Sequence, residues 1–245
     1  MKAYKGFDEN LKCKDFQYEI GKAYEEPEAK LCEKGFHACE YPLDVFEYYA
    51  PGNMSRYCEV DLDDVSDKKS NKDSKRCGKK IAVKAEIGIA GLVKAAVKYT
   101  MEKAIPENSK HATGCQGAAS ATGRQGAASA TGDQGAASAT GWRGAASATG
   151  WRGAASATGD QGAASATGWQ GAASATGTES VAAALGIDSK AKGALGCWIV
   201  IAEWESDEKF NWHRKDVQCF KVDGENIKSD TWYKLKNGVL VEVSK

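Results

Sequence analysis

Seven copies of Gly-Ala-Ala-Ser-Ala-Thr-Gly-x-x follow one another without a gap, beginning at Gly117, Gly126, Gly135, Gly144, Gly153, Gly162 and Gly171, and Ala112-Thr113-Gly114 is the tail of a preceding half-copy. Gly, Ala, Ser and Thr alone would suit a flexible linker, but a linker needs composition and no fixed order. Here each residue type returns to its own slot, as it must when every copy meets the same neighbours above and below. A continuous Ala-rich helix is also disfavoured. The two glycines in each copy, and a threonine beside one of them, would each cost up to about 1 kcal/mol relative to Ala. The array predicts a β-solenoid over residues 114–179.

Within the third copy, Ala136-Ala-Ser-Ala-Thr140 reads as a strand and Gly141-Trp142-Arg143-Gly144 as a bend, with glycine taking positive φ where needed. Alternation puts Ala137 and Ala139 on one face and Ala136, Ser138 and Thr140 on the other. With only methyl groups inward, facing sheets should approach closer than the usual ~10 Å. Nine residues are too few to close a coil, so two copies per turn are expected, about three and a half coils in all, each adding roughly 4.8 Å. An alanine core removes little apolar surface at ~25 cal/mol per Å², which leaves cohesion to backbone ladders and close packing. Beyond Glu179 the pattern degenerates, and Val181, Leu185, Ile187 and Leu195 are the bulkier apolar residues expected of a cap.

The flanks are physically different. Lys plus Arg and Asp plus Glu number 33 each, yet residues 111–179 hold only Arg124, Arg143, Arg152, Asp133, Asp160 and Glu179. The balance gives no field that would steer the chain to nucleic acid or an anionic membrane. No stretch approaches the roughly 18 apolar residues of a spanning helix, and the N-terminus lacks the apolar run of a secretion signal. Eight scattered cysteines read as reduced thiols of a cytoplasmic protein. Cys32, His37 and Cys39, with Cys13 as a fourth ligand, raise a zinc site, although the spacing is not a CxxC knuckle and small buried thiols are the plainer account.

Phe16–Ile20 alternates like a strand with a partner near Tyr24, and Phe36–Cys39 is a short strand. Pro42 opens a helix ended by Pro51-Gly52, and Tyr57–Leu62 alternates again. Residues 63–80 read as a charged, solvated loop. Ile81–Ile89 reads as a strand, and residues 91–104 as a helix closed by Pro106. After the array, Cys197–Trp204 is a buried strand, Val217–Val222 another, and Trp232–Leu235 with Val239–Val243 a hairpin turning at Asn237-Gly238. The expected fold class is mainly β (α+β): a parallel β-solenoid of nonapeptide repeats inserted into a small mixed α/β domain. Its expected boundaries are 1–105 for the first half of that domain, 106–196 for the solenoid with caps, and 197–245 for the strands completing the first domain.

The Ala/Ser/Gly coils ending in SVAAALGIDSKAKGALG resemble the head repeats of trimeric autotransporter adhesins, over residues 112–196. The segments KCKDFQYEIGKAYE, LCEKGFHACEYPLDVFEYY and VDGENIKSDTWYKLKNGVLVEV resemble an uncharacterised domain common in phage and prophage proteins, a resemblance that implies no activity. The order glycine, aromatic strand, helix, strand in KGFHACEYPLDVFEYYAPGNMSRYCEVDL is similar to the middle of ADP-ribosyltransferase-like folds. That likeness implies a catalytic glutamate at Glu203 or Glu205, where a carboxylate would stabilise an oxocarbenium ion.

There is no phosphate loop, no GxSxG and no HExxH, and His37, His111 and His213 have no nucleophile near them in sequence. No catalytic residue, metal or cofactor is assigned, and a non-enzymatic binding or scaffold protein with an unknown protein partner is preferred. Self-association stays open, and membrane and nucleic-acid partners are disfavoured. Variation in the repeats is confined to the two bend positions, and Trp and Arg are enriched in interface hot spots. The candidate binding residues are Arg124, Trp142, Arg143, Trp151, Arg152 and Trp169. Trp covering a thin Ala core, with Arg packed against it, is the bland account of the same residues. The alternatives are an ADP-ribosyltransferase-like enzyme, an ice-binding surface built on the Ser120/Thr122 grid and its equivalents, or an inhibitor of host defence.

Overall fold

A computed structural model describes residues 1–51, 54–68, 70, 73–103 and 109–244, which form two compact units, Met1–Leu92 and Val93–Lys245. The expected closing Pro106 lies outside the described residues, as does Gly52.

The first unit is built from β1 (Lys2–Phe7), β2 (Lys12–Cys13), β3 (Phe16–Gln17), β4 (Ala23–Glu25), β5 (Phe36–Cys39), β6 (Arg56–Val65) and β7 (Lys75–Glu86). All its pairings are antiparallel. Because β7 pairs with both β5 and β6, and β1 lies between those two, the ladder β1–β6–β7–β5 returns on itself, with β4 added to β7. Period-two alternation drives this: Cys58, Val60 and Leu62 of β6 and Ile81 and Val83 of β7 point into one core with Phe7 and Phe36.

Local expectations are corrected in four places. Phe16–Ile20 forms only the two-residue β3, paired with β2, and Tyr24 pairs with β7 instead. The Pro42 segment is a six-residue 3-10 turn, Pro42–Glu47, and no α-helix. Its buried Asp44 accepts a hydrogen bond from the Ser74 N–H at 2.7 Å, which ties the turn to the start of β7. Residues 63–80 are strand at both ends, since ladders need no apolar side chains when charges pair across them, as Arg76 does with Glu40 at 2.8 Å. β1 carried no sequence signal that was read.

In the second unit, helix α1 (Ile89–Lys103), whose first turn belongs to the first unit, leads to β8 (Ser109–Thr113), β9 (Ala118–Thr122), β10 (Ala127–Thr131), β11 (Ala136–Thr140), β12 (Ala145–Thr149) and β13 (Ala154–Thr158). Then come β14 (Ala163–Ala166), β15 (Ala172–Ala175), β16 (Val181–Ala184), β17 (Lys190–Gly193), β18 (Trp198–Ser206), β19 (Trp212–Lys221), β20 (Trp232–Lys236) and β21 (Val239–Val243). Strands β8 to β18 alternate between two parallel sheets, in register, so Ala136 meets Ala154 and Ser138 meets Ser156. Two copies make one turn, as the length of the unit demanded. The solenoid runs for about five turns, longer than the three and a half expected, because degenerate units continue the same backbone ladder at both ends.

Ala137 and Ala139 face inward with the equivalent alanines of β9 to β16, almost without exposure. Each bend from Gly114 to Gly186 places glycine at its first position, where rungs touch most closely. Gly159 has φ +122, and a Cβ there would lie 2.5 Å from the Gly141 carbonyl oxygen. The last bend glycine is less constrained. Ser180 and Ser189 occupy its slot in two bends, and each hydroxyl donates to one carbonyl of the rung before (Gly159 O, 2.8 Å; Gly168 O, 3.0 Å) and accepts from one N–H (Gly162 and Gly171, both 3.0 Å).

The C-terminal strands, expected to complete the first domain, do not join its sheet. β18 pairs in parallel with β16, and β20 pairs antiparallel with β17, so the two hairpins extend the solenoid's own sheets. Ile199, Ile201, Val222, Tyr233 and Leu235 replace the alanines in the core at this end, while Val181 and Leu185 are buried on the other face of the β16 sheet. The capping residues therefore include those that the sequence assigned to the other domain, while Leu195 is exposed. At the opposite end, Lys110 of β8 stands in register with the inward Ala128 and is exposed, which places a charge at an inward position of the terminal rung.

Candidate functional site

With two copies per turn, bends at intervals of 18 residues share an edge and neighbouring bends lie on opposite edges. The six residues singled out from the sequence therefore do not form one surface. Trp151, Arg152 and Trp169 share one edge; Arg124, Trp142 and Arg143 share the other. Each edge is knitted by N–H to C=O bonds between successive bends, Arg152 N to Trp169 O (2.7 Å) on the first and Arg143 N to Asp160 O (2.9 Å) on the second.

The third bend residue is always in the left-handed region, from Gln116 (φ 60°) to Asp188 (φ 52°), a conformation that costs an L-residue about 1–2 kcal/mol. Its side chain offsets part of that cost by bonding to its counterpart one turn on. Gln116 Nε2 donates to Gln134 Oε1 (3.5 Å), Arg152 Nε to Gln170 Oε1 (3.1 Å), and Gln170 Nε2 to Asp188 Oδ2 (3.2 Å). On the other edge Arg143 Nε donates to Gln161 Oε1 (2.9 Å) and Gln161 Nε2 to Glu179 Oε2 (3.4 Å). This explains why the slot holds only Gln, Arg, Glu or Asp from Gln116 to Asp188.

The residue between the leading glycine and that slot is freer, although Asp160 Oδ1 accepts the Thr178 N–H one turn on at 2.9 Å, and the two edges diverge there. On one, Trp142 is stacked between guanidinium groups, with Arg124 4.9 Å and Arg143 4.3 Å from its ring centroid, and Arg143 is only 7% exposed. This is the arrangement of side chains engaged with one another. On the other edge, Trp151 and Trp169 stand on adjacent rungs and are 42% and 43% exposed, with Arg152 over the Trp151 ring at 4.4 Å. The β18–β19 hairpin adds Trp212, 39% exposed, whose ring meets Trp169 edge-on at 5.4 Å. Phe210, at the hairpin tip, is exposed. The sequence reading missed Trp212, because only pairing of β18 with β16 brings that hairpin to this edge.

The two outer faces also differ. On the sheet containing β9, Ala118, Ser120, Thr122, Thr140, Thr158 and Thr176 are exposed. On the sheet containing β8, Ala127, Ala145 and Ala163 are buried, and Ser147, Thr149, Ser165 and Thr167 line a groove with Lys94, Val97 and Met101 of α1.

The proposed ligand cluster in the first unit does not assemble. His37 Nε2 accepts the Cys32 N–H at 2.9 Å, Cys13 Sγ accepts from Lys5 Nζ at 3.3 Å, and Cys39 is buried. Among the described residues, no group of three or more His, Cys, Asp or Glu is arranged to hold a metal. Burial, with Lys5 and Lys75 nearby, pushes the His37 imidazole down to about 4, so it is neutral at physiological pH. Glu203, the glutamate implied by the transferase-like resemblance, serves the fold. Its two oxygens accept the Asn237 and Gly238 N–H groups of the β20–β21 turn, both at 2.8 Å. Those bonds, Gly238 foremost, and neighbouring Lys215 hold its carboxyl below the usual range. Glu205 is exposed on the same strand.

No described helix is long and apolar enough to cross a membrane. Neither the curated proteins nor the solved structures include a match to this chain. Residues 1–95 match a family model described as a domain of unknown function, DUF7666, which covers the first unit and leaves the solenoid outside it.

Proposed function

We propose that the chain is a non-enzymatic binding protein whose solenoid is a rigid scaffold presenting one recognition edge to a protein partner. The observation that carries this reading is the contrast between edges. Trp142 lies against two arginines, whereas Trp151 and Trp169 stand exposed on adjacent rungs of one edge, with Trp212 against the Trp169 ring and Arg152 over the Trp151 ring, an aromatic strip on rungs fixed by backbone and side-chain ladders. Exposed aromatics on a pre-ordered surface bind without the cost of ordering a loop. The eight free thiols support a cytoplasmic setting, and the resemblance of the flanks to a domain of phage and prophage proteins supports a phage origin, where a host protein would be the target.

The test is affinity capture from host lysate with three baits: the parent chain, Trp151→Ala/Trp169→Ala, and Trp142→Ala. A protein retained by the parent and by Trp142→Ala but lost with the double variant supports the assignment. Equal recovery from all three sinks it.

A second reading rests on a separate observation. The exposed face of β9, β11, β13 and β15 is flat, uncharged and hydroxyl-bearing at every rung, Thr122, Thr140, Thr158 and Thr176 being one rung apart, which is the geometry of an ice-binding solenoid. Absence of thermal hysteresis in purified protein removes that reading.

A further inference from the structure

We propose that the first unit binds a small planar molecule bearing one acidic group, the acid on Lys5 and the ring against Phe16. A cavity of about 840 Å³ opens into this unit, within the range of sites that hold drug-sized ligands. Lys5, on the central strand β1, borders it and is 6% exposed. Its ammonium donates to the His37 carbonyl at 2.9 Å and to Cys13 Sγ at 3.3 Å, and lies 5.4 Å and 5.6 Å from the ring centroids of Tyr18 and Phe7. An ammonium has three donors, and among the described residues no carboxylate pairs with this one. A charge taken out of water without a counter-ion is costly, and an incoming acidic group would supply both the missing acceptor and the missing charge.

The rest of the wall favours a ring. Phe16 is held by edge-on contacts with Tyr24 (5.2 Å) and Phe36 (5.9 Å), yet remains substantially exposed where it borders the cavity. Tyr49 also lines the cavity. Its position depends on Gly6 of β1, where an added Cβ would sit 2.8 Å from Tyr49 ring and Cβ carbons. Asp15, Glu26 and Glu33 also border the cavity, but they are exposed, so the buried charge is cationic. His37 is pinned through Nε2 by the Cys32 N–H and adds no charge to compete with Lys5 for the acid.

The experiment follows backbone amide shifts of the full chain titrated with phenyl phosphate and with indole-3-acetate, beside inorganic phosphate and phenol. Saturable shifts at Gly6, Gly35 and Phe36 with either ring-plus-acid probe are expected, at affinities above those for inorganic phosphate or phenol. Lys5→Met, which keeps the buried stem, is expected to weaken that binding by about tenfold or more. Phosphate and carboxylate probes distinguish which acid the site takes. No saturable shift up to about 10 mM, shifts confined to the solenoid, or unchanged affinity in Lys5→Met overturns the proposal. Should Lys5→Met fail to fold, the comparison of phenyl phosphate with phenol on the parent chain decides instead: equal affinity overturns it.

Discussion

Replacing Gly159 with alanine tests the claim that rung-to-rung contact at the first bend position holds the stack. The substitution has two costs. A φ of +122° is strained for any residue with a Cβ, by about 1–3 kcal/mol. The new methyl would also stand 2.5 Å from the Gly141 oxygen and 2.7 Å from its carbonyl carbon, so the rungs must part locally by several tenths of an ångström. Ladder bonds beside it, Gly141 N to Thr158 O at 2.7 Å and Arg143 N to Asp160 O at 2.9 Å, then stretch, each worth about 0.5–1.5 kcal/mol. The sum is a destabilisation of about 2–6 kcal/mol, a large share of what holds an ordinary domain. Gly153→Ser is the control, since its slot is the one that Ser189 fills naturally two edge-mates further on, and a Cβ there meets nothing nearer than the Ala148 methyl at 3.1 Å. It should shift stability by less than about 1 kcal/mol. Urea unfolding followed by far-ultraviolet circular dichroism reads both. A loss below about 0.5 kcal/mol for Gly159→Ala, or an equal loss for Gly153→Ser, refutes the reasoning.

Ser189→Ala leaves the buried Gly171 N–H and Gly168 carbonyl without their shared partner and should cost about 1–3 kcal/mol in the same assay; no change would mean that the hydroxyl is not part of the ladder. Lys110→Val removes the inward charge from the terminal rung, and sedimentation should then show concentration-dependent self-association that the parent lacks; identical profiles would assign protection of that edge to something else. His37 has a folded value near 4 against an ordinary 6.5, so the unfolded chain takes up its proton first as pH falls: stability is undiminished above about 6.5, declines between 6.5 and 4, and then levels. Allowing for solvent screening, the decline should be of the order of 1–2 kcal/mol, and His37→Gln should flatten it; an unaltered profile would place the titration elsewhere. Amide hydrogen exchange should slow from β8 and β9 towards β16 and β18, following the change from alanine to Ile199, Ile201 and Tyr233 in the core; uniform protection would contradict it.

What the sequence made legible was whatever is repeated. Strand, bend, inward alanines and two copies per coil all follow from a nine-residue period that must be satisfied at every rung, and each is present. The flanks were harder, because their order is set by pairing partners distant in sequence. Trp198–Ser206 reads as a buried strand in isolation, and nothing local says that its partner is Val181–Ala184 rather than the first sheet. Likewise Lys75–Lys80 reads as loop because its residues are charged, yet β7 gains its place from backbone bonds to β5 and β6 and from side-chain pairs such as Lys80 with Glu25. Among the candidate site residues, residue types were legible and grouping was not: a period of nine treats Trp142, Trp151 and Trp169 as equivalent, whereas a coil of two copies sets the first apart. Lys5 gave no signal at all, since one lysine in an alternating strand is indistinguishable from a solvated one until its surroundings are known.

The coil of two copies also constrains how such an array can change. Core and ladders are indifferent to which nonapeptide occupies a rung, so adding or losing copies conserves every inward contact. Edges are not indifferent. One extra nonapeptide between Trp151 and Trp169 would carry Trp151 to the edge opposite Trp169 and Trp212 and break the aromatic strip, while two extra copies would keep all three on one edge and lengthen the strip by about 4.8 Å. The same parity governs α1, which lies over the sheet of β8 while the cap joins that sheet through β18. A single inserted copy would leave the helix and the cap on different sheets. Copy number is therefore free in steps of two and restricted in steps of one, and within each bend the residue after the leading glycine is the one most open to vary without disturbing what holds the rungs together.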